Sequence, residues 1–182
     1  MLQVLTGTAK GRKLKVPKGK AVRPTTSRVK KTIFDTLGNI SGLKVLDLFA
    51  GSGGLGIEAL SRGAAHTTFV EKDPTVYKTL KENVLLSGFP DRATLICARY
   101  EVAINRLKKR GEKFNLIFID PPYILYERKE VSDFICETSE LLQDGGVIVI
   151  EHNRKIENTP NGFKRITKPF GGTQLSFFIR GD

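Results

Sequence analysis

The sequence predicts an α/β fold built on one mostly parallel sheet, and three observations carry that prediction. From Lys44 onward, short β-branched runs alternate with longer segments of helical periodicity. A glycine-rich turn, Gly51-x-Gly53-x-x-Gly56, joins the first of these runs to a helix. The last two runs, "FKRITKPF" and "TQLSFFIRG", have no helical pattern between them, so the sheet should end in an antiparallel pair.

The elements follow in order. "LQVLTG" and "RKLKV" are alternating runs joined by "TAKG", which predicts a small N-terminal hairpin, and "KVPKGKAVRPTTS" reads as a loop. Pro24, Thr25, Thr26 and Ser27 open a helix whose apolar face holds Val29, Ile33, Leu37 and Ile40 and which closes near Gly38. "KVLDLFA" is a strand and "GLGIEALSRG" a helix ended by Gly63; "HTTFVEKD" is a strand and "PTVYKTLKENVLLSG" a helix between Pro74 and Gly88. "ATLICAR", then "YEVAINRLKKRG", continue the alternation, as do "FNLIFID", "EVSDFICETSELLQ" and "GGVIVIEH". The expected organisation is an extension over residues 1–24 and a single domain over 25–182.

Composition narrows the class. At 40% hydrophobic residues the chain of 182 can build a substantial core, yet no run approaches the ~20 apolar residues of a membrane span. Cys97 and Cys136 sit among apolar neighbours and read as reduced core residues of a cytoplasmic protein. The formal net charge is +11, and it is unevenly placed. Residues 1–34 hold ten Lys/Arg and no Asp or Glu, whereas the remainder is nearly balanced. A surface for a polyanion follows, with Arg12, Lys13, Lys15, Lys18 and Arg23 as the candidates that bind it.

The glycine turn fits more than one cofactor. Glu71, twenty positions after Gly51, supplies the acid that accepts ribose hydroxyls, which alone would suit NAD, FAD or S-adenosylmethionine. Asp47 discriminates: a carboxylate at that strand end repels a pyrophosphate and attracts an ammonium. The candidate cofactor set is Asp47, Phe49, Ala50, Gly51, Ser52, Gly53, Glu71, Lys72 and Arg99. "IDPPY" ends the fourth core strand on the same edge of the sheet. An exocyclic base amine is a poor nucleophile because its lone pair is delocalised into the ring. Two acceptors, the Asp120 carboxylate and the Pro121 carbonyl, would take its two hydrogens and free that pair. Pro121 and Pro122 bring no N–H donor and fix the backbone, and Tyr123 offers a stacking face, so Asp120–Tyr123 are the catalytic candidates.

Together, "VLDLFAGSGGLGIEALSRGA" and "DPPY" resemble the Rossmann-like class I methyltransferases that act on exocyclic amines. "GTAKGRKLKVP" followed by "RPTTSRVKKTIFDTL", with "GGTQLSFF" near the end, is similar to the RsmD family of bacterial 16S ribosomal RNA guanine-N2 methyltransferases. The resemblance implies a seven-stranded sheet in the order 3-2-1-4-5-7-6 with strand 7 antiparallel, and S-adenosylmethionine as methyl donor. It implies Asp47, Gly51 and Gly53 at the methionine part, Glu71 at the ribose and Asp120 to Tyr123 at the guanine amine. The adenine contact stays open, because "CARYE" places Ala98 and Arg99 where many relatives carry an acid. The expected partner is ribosomal RNA or an assembling small subunit, with no metal or membrane, and the expected state is a monomer. A DNA adenine-N6 methyltransferase is the first alternative, though little chain remains for reading duplex sequence. A catalytically inactive RNA-binding assembly module is the second, against which the intact Asp47, Glu71 and Asp120 set argues.

Overall fold

A computed structural model of the chain describes residues 2–17 and 26–181. Seven strands form one sheet: β1 (Lys44–Asp47), β2 (His66–Glu71), β3 (Ala93–Cys97), β4 (Phe114–Ile119), β5 (Leu142–His152), β6 (Phe163–Phe170) and β7 (Thr173–Arg180). Their order is β3-β2-β1-β4-β5-β7-β6, with β7 antiparallel to both β5 and β6, as the resemblance implied. The interior strands β1 and β4 are buried along most of their length, which is why they read as continuous apolar runs rather than alternating ones.

Among the described residues five α-helices cover the sheet: α1 (Ser27–Leu37), α2 (Gly54–Ser61), α3 (Pro74–Leu86), α4 (Tyr100–Lys109) and α5 (Val131–Ser139). Their starts are chemically marked. The Thr26 hydroxyl accepts from Val29 N at the head of α1, and Asp73 accepts from Thr75 N and Val76 N at the head of α3, where Pro74 follows. On one face Tyr100, Ile104 and Leu107 of α4 and Phe134 and Ile135 of α5 pack on Ile117, Ile119, Ile148 and Ile150. On the other, Val29, Ile33 and Phe34 of α1 pack with Leu116, Phe118, Val149, Leu175 and Phe177.

Two expectations need correction, and a third is met in short form. The predicted N-terminal hairpin is present around the Gln3–Lys13 bridge, with Val4 N donating to Arg12 O (3.0 Å), Gly11 N to Val4 O (2.9 Å) and Leu14 N to Leu2 O (2.9 Å), and beyond Val4 its backbone donors turn to α2. Leu5 N and Thr6 N donate to the Glu58 carboxylate (2.7 and 3.0 Å), and Thr8 N donates to Ser61 O (2.9 Å). Helix α5 stops at Ser139, short of "ELLQ", since Leu142 pairs with Phe114 and so begins β5. Both cysteines are free but exposed: Cys97 ends an edge strand, and Cys136 lies between the buried positions of α5.

The N-terminal arm is nevertheless fastened down. Leu2, Val4 and Leu14 share a core cluster with Ile57, Leu60, Phe69 and Leu80. Beneath it lies a buried ionic knot: Glu58 receives Lys30 Nζ (3.5 Å) and Arg62 Nε (2.9 Å), and Lys30 Nζ also donates to Gln3 O (2.5 Å). Lys30 and Glu58 are both fully buried. Burial pushes the Lys30 ammonium below its ordinary pKa, and Glu58 pulls it back toward the charged form. Removing one partner of such a pair leaves an uncompensated buried charge. The expected outcome for Glu58→Ala is therefore a loss of about 3–5 kcal/mol in urea-unfolding free energy. Adding Lys30→Met to that protein should restore part of the loss, because the stranded charge is then gone.

Candidate active site

The turn after β1 is threaded between its neighbours: Leu48 N donates to Phe118 O (3.0 Å) and Ala50 N to Val70 O (2.9 Å). Gly51 and Gly53 then take positive φ (54° and 88°), which reverses the chain into α2. Farther on, Gly56 has a steric role. A Cβ there would lie 2.2 Å from the Phe69 ring, so α2 can approach β2 only because the side chain is missing. Asp47 completes the joint, its carboxylate accepting from Gly56 N at 2.9 Å.

A cavity of about 800 Å³ opens outside the carboxyl ends of the parallel strands, the position where ligands bind in open α/β sheets. Phe49, Ala50, Gly51 and Ser52 line it from the glycine turn, Glu71 and Lys72 from the end of β2, and Ala98 to Glu101 from the end of β3. Asp120 to Tyr123 line it from the end of β4. Asp47 and Gly53 are not among the lining residues. Asp47 is only 2% exposed, and the space beside Gly53 is filled by Leu80 and Ile57. Both support the turn rather than face the cavity.

Two backbone donors aim the Glu71 carboxylate. Gly51 N donates to one oxygen (3.0 Å) and Asp73 N to the other (2.8 Å), leaving each with a lone pair for a further donor. Arg99 pairs with Glu101 (3.1 Å) at the rim, and its position is exposed. Below it, Phe49 and Tyr100 pack with ring centroids 5.0 Å apart, and the Lys129 ammonium lies 5.1 Å from the Tyr100 ring centre.

The segment after Asp120 is held by β5. Pro122 takes the extended φ of −61° and ψ of 139°, and a short 3-10 turn, Tyr123–Glu127, follows. The Tyr126 hydroxyl donates to Glu151 O (2.7 Å), and Arg154 Nη2 donates to Tyr126 O (2.9 Å). His152, fully buried, donates from Nδ1 to Arg154 O (2.7 Å), and its Nε2 meets Ser176 Oγ (2.8 Å). Burial holds the His152 pKa below its usual value, in keeping with a neutral ring that donates on one side and accepts on the other.

Of the RNA-binding candidates, Arg12, Lys13 and Lys15 are exposed, with Lys15 paired to Glu82 (2.9 Å), while Lys18 and Arg23 lie outside the described residues. Lys30, counted in the basic segment, is buried in the ionic knot and offers nothing to a phosphate. Residues that sequence reasoning missed also line the cavity: Glu151, Phe170 and Thr173. Glu151 had a legible signal, since "VIVIE" repeats the pattern of an acid closing a buried strand seen in "LIFID". Asn83 had none. Its buried amide bridges Ser52 O and Lys15 O (both 2.9 Å) and receives Lys15 N (2.8 Å), tying the glycine turn to the basic arm.

Residues 2–179 match the family described as Conserved hypothetical protein 95. The chain is 42% identical to "Putative rRNA methyltransferase YlbH" of Bacillus subtilis, covering 86% of this chain and 85% of that protein. It is 38% identical to "Ribosomal RNA small subunit methyltransferase D" of Escherichia coli, covering 82% and 71%. The solved structure of "Putative methyltransferase yhhF" from Escherichia coli superposes with a TM-score of 0.84 at 32% identity, covering 98% of this chain and 97% of that one.

One titration follows from the geometry. Burial, opposed by the Gly56 N–H and reinforced by the Asp120 and Glu71 carboxylates, pushes the Asp47 pKa up to about 7. The folded chain then keeps a proton that the unfolded chain, with a pKa of about 3.9, has already released. The stability Asp47 contributes is greatest below about pH 4 and is lost as pH rises through about 7. Urea unfolding at stepped pH should show the free-energy difference between the parent protein and Asp47→Asn falling across that window and levelling above about pH 8.

Proposed function

The chain belongs to the RsmD family, described as Conserved hypothetical protein 95, and from that membership and the cavity's geometry we propose that it methylates the exocyclic N2 amine of a guanine in small-subunit ribosomal RNA, using S-adenosylmethionine. The observation that carries the reading is a single cavity running from the glycine turn and Glu71 to Asp120–Tyr123. In this reading Glu71 holds the nucleoside part of the cofactor and Asp120–Tyr123 the target amine, and their opening on one space supports it.

The residues present fit the cofactor. Its volume lies within the ~300–1,000 Å³ usual for small-molecule sites. Each Glu71 oxygen accepts one backbone N–H and keeps acceptor capacity for a ribose hydroxyl. Bound S-adenosylmethionine supplies a methyl group on a positively charged sulfur, ready for transfer to a nucleophile. Everything else is the protein's work. Asp120 and the Pro121 carbonyl accept the two N2 hydrogens, turning the nitrogen lone pair out of the ring system. Asp120 is then placed to take the proton that the amine sheds once the new N–C bond has formed. Tyr123, about two-fifths exposed at the mouth, stacks on the entering base. The chemistry asks for orientation and polarisation, which rigid strand ends supply.

The exposed Arg12, Lys13 and Lys15, on an arm pinned to α2 and α3, serve as the docking surface for RNA phosphates. Contacts of that type give affinity and register but no sequence readout. A guanine in an RNA loop enters the cavity at lower cost than one stacked in a duplex.

Nucleoside mass spectrometry of ribosomal RNA from cells with and without the protein tests the reading. Loss of N2-methylguanosine from small-subunit RNA is expected, and an unchanged nucleoside profile would overturn it. With purified protein, Asp120→Ala should slow turnover by about 10²–10³, while calorimetry finds its S-adenosylmethionine affinity unchanged. Joint replacement of Arg12, Lys13 and Lys15 by Ala should flatten the salt dependence of RNA binding, each lost phosphate contact lowering the log–log slope by about 0.7–0.9.

A further inference from the structure

The end of the cavity away from the glycine turn is bounded by Asp120, Tyr123, Glu151, Phe170, Thr173 and Thr26. Glu151 is the unexplained member. It lies in β5, where it pairs with Leu175 of β7. Leu175 is buried in the cluster formed with α1, together with Val149 and Phe118. Paired residues of an antiparallel ladder share a face, so Glu151 projects on the α1 side. Asp120 does the same: it follows Phe118 by two positions, and its predecessor Ile119 pairs with Ile150 in the parallel ladder. Two carboxylates therefore leave adjacent strands, ~4.8 Å apart, on one face and at one edge.

A second observation places them together. The buried Tyr126 hydroxyl has its pKa raised first by burial and then by the Asp120 and Glu151 charges. The Glu151 backbone is already committed, its carbonyl receiving the Tyr126 hydroxyl at 2.7 Å. Among the described residues no hydrogen bond or ion pair engages its carboxylate. A space with two carboxylates recognises a ligand edge rich in donors.

Three RNA bases carry an exocyclic amine. In adenine and cytosine the one ring nitrogen beside the amine is an acceptor; in guanine the amine lies between N3, an acceptor, and N1–H, a donor, and only guanine offers a ring N–H beside its amine. With Asp120 and the Pro121 carbonyl occupied by the two N2 hydrogens, one donor of guanine remains. We propose that the Glu151 carboxylate accepts the guanine N1–H and is the residue that restricts the enzyme to guanine, with Phe170 forming the wall opposite Tyr123. The inference rests on the guanine-N2 reading above. A carboxylate at that position faces the N1 lone pair of adenine or the N3 lone pair of cytosine, a repulsion that rejects both. Asp120 alone cannot do this, since all three bases offer it an amine.

2-Aminopurine separates the two roles, because it keeps the 2-amine of guanine but has a lone pair at N1. The test measures kcat/KM on an RNA oligomer carrying either guanine or 2-aminopurine at the mapped target. The parent protein, Glu151→Gln and Glu151→Ala are compared, and calorimetric binding of S-adenosylmethionine verifies that each is folded. The parent should favour guanine by about 10–10²-fold, the range for one charge-assisted hydrogen bond. Glu151→Gln, whose amide can donate to N1, should narrow or invert that preference. Glu151→Ala should slow guanine methylation by a similar factor while leaving 2-aminopurine nearly unaffected. A parent-like preference in both folded variants overturns the inference, as does a parent protein that treats the two bases alike. A parent protein inactive on guanine RNA overturns the underlying reading, and the inference with it.

Discussion

The contact of Gly56 with Phe69, locked by the Asp47 carboxylate on Gly56 N, sets the position of everything at the carboxyl edge of the sheet. A single methyl group at residue 56 would drive α2 away from β2. The turn between Asp47 and α2 would then no longer pass close enough to β2 for Ala50 N to reach Val70 O, or Gly51 N to reach Glu71. The carboxylate that closes this joint is itself costly to bury, and its raised pKa measures that cost. The joint thus gives up some stability at neutral pH in exchange for a closely fitted turn, held by the Asp47 carboxylate on one backbone N–H and by the approach of α2 to Phe69.

The two ends of the cavity are built differently, and the difference suits their tasks. At the glycine turn the directing groups are backbone N–H donors and a Glu71 carboxylate locked by two of them. That end can receive the same small molecule in every turnover without adjustment. At the β4–β5 end the cavity is lined by Asp120 and Glu151 at the strand ends and by Tyr123 at the head of a short 3-10 turn, which is held through Tyr126, the Glu151 carbonyl and Arg154. On the proposed function a base of a large RNA enters and leaves there, and a partly exposed Tyr123 on a short turn suits that better than a buried one would.

Much of this was legible in the sequence, for identifiable reasons. Strand–helix alternation, Pro74, Gly63 and Gly88 marked the core elements because local periodicity and capping chemistry coincide there. Asp120 stood out because the acid, two prolines and a tyrosine close an apolar run at the same sheet edge as the glycine turn; the proline pair alone would read as a rigid turn. What failed to show was everything decided by a neighbour distant in sequence. Lys30 reads as one more solvated cation until Glu58 and Gln3 are brought to it. Cys97 reads as core until β3 proves to be an edge strand. Gly53 and Gly56 look like ligand-facing glycines, whereas Leu80, Ile57 and Phe69 occupy the space their side chains would need. Asn83 is an unremarkable helix residue until the arm and the glycine turn both reach it.

The seating of the arm also has an order in time. Leu5 is bound by a residue 53 positions later, and Lys15 by one 68 positions later. Synthesis at ~5–20 residues per second separates these partners by roughly 3–14 seconds. Throughout that interval the segment with no acidic residue emerges with neither Glu58 nor Asn83 to hold it. The most cationic part of the chain is thus made before the residues that fix it, and until they emerge it waits beside the polyanion that is making it.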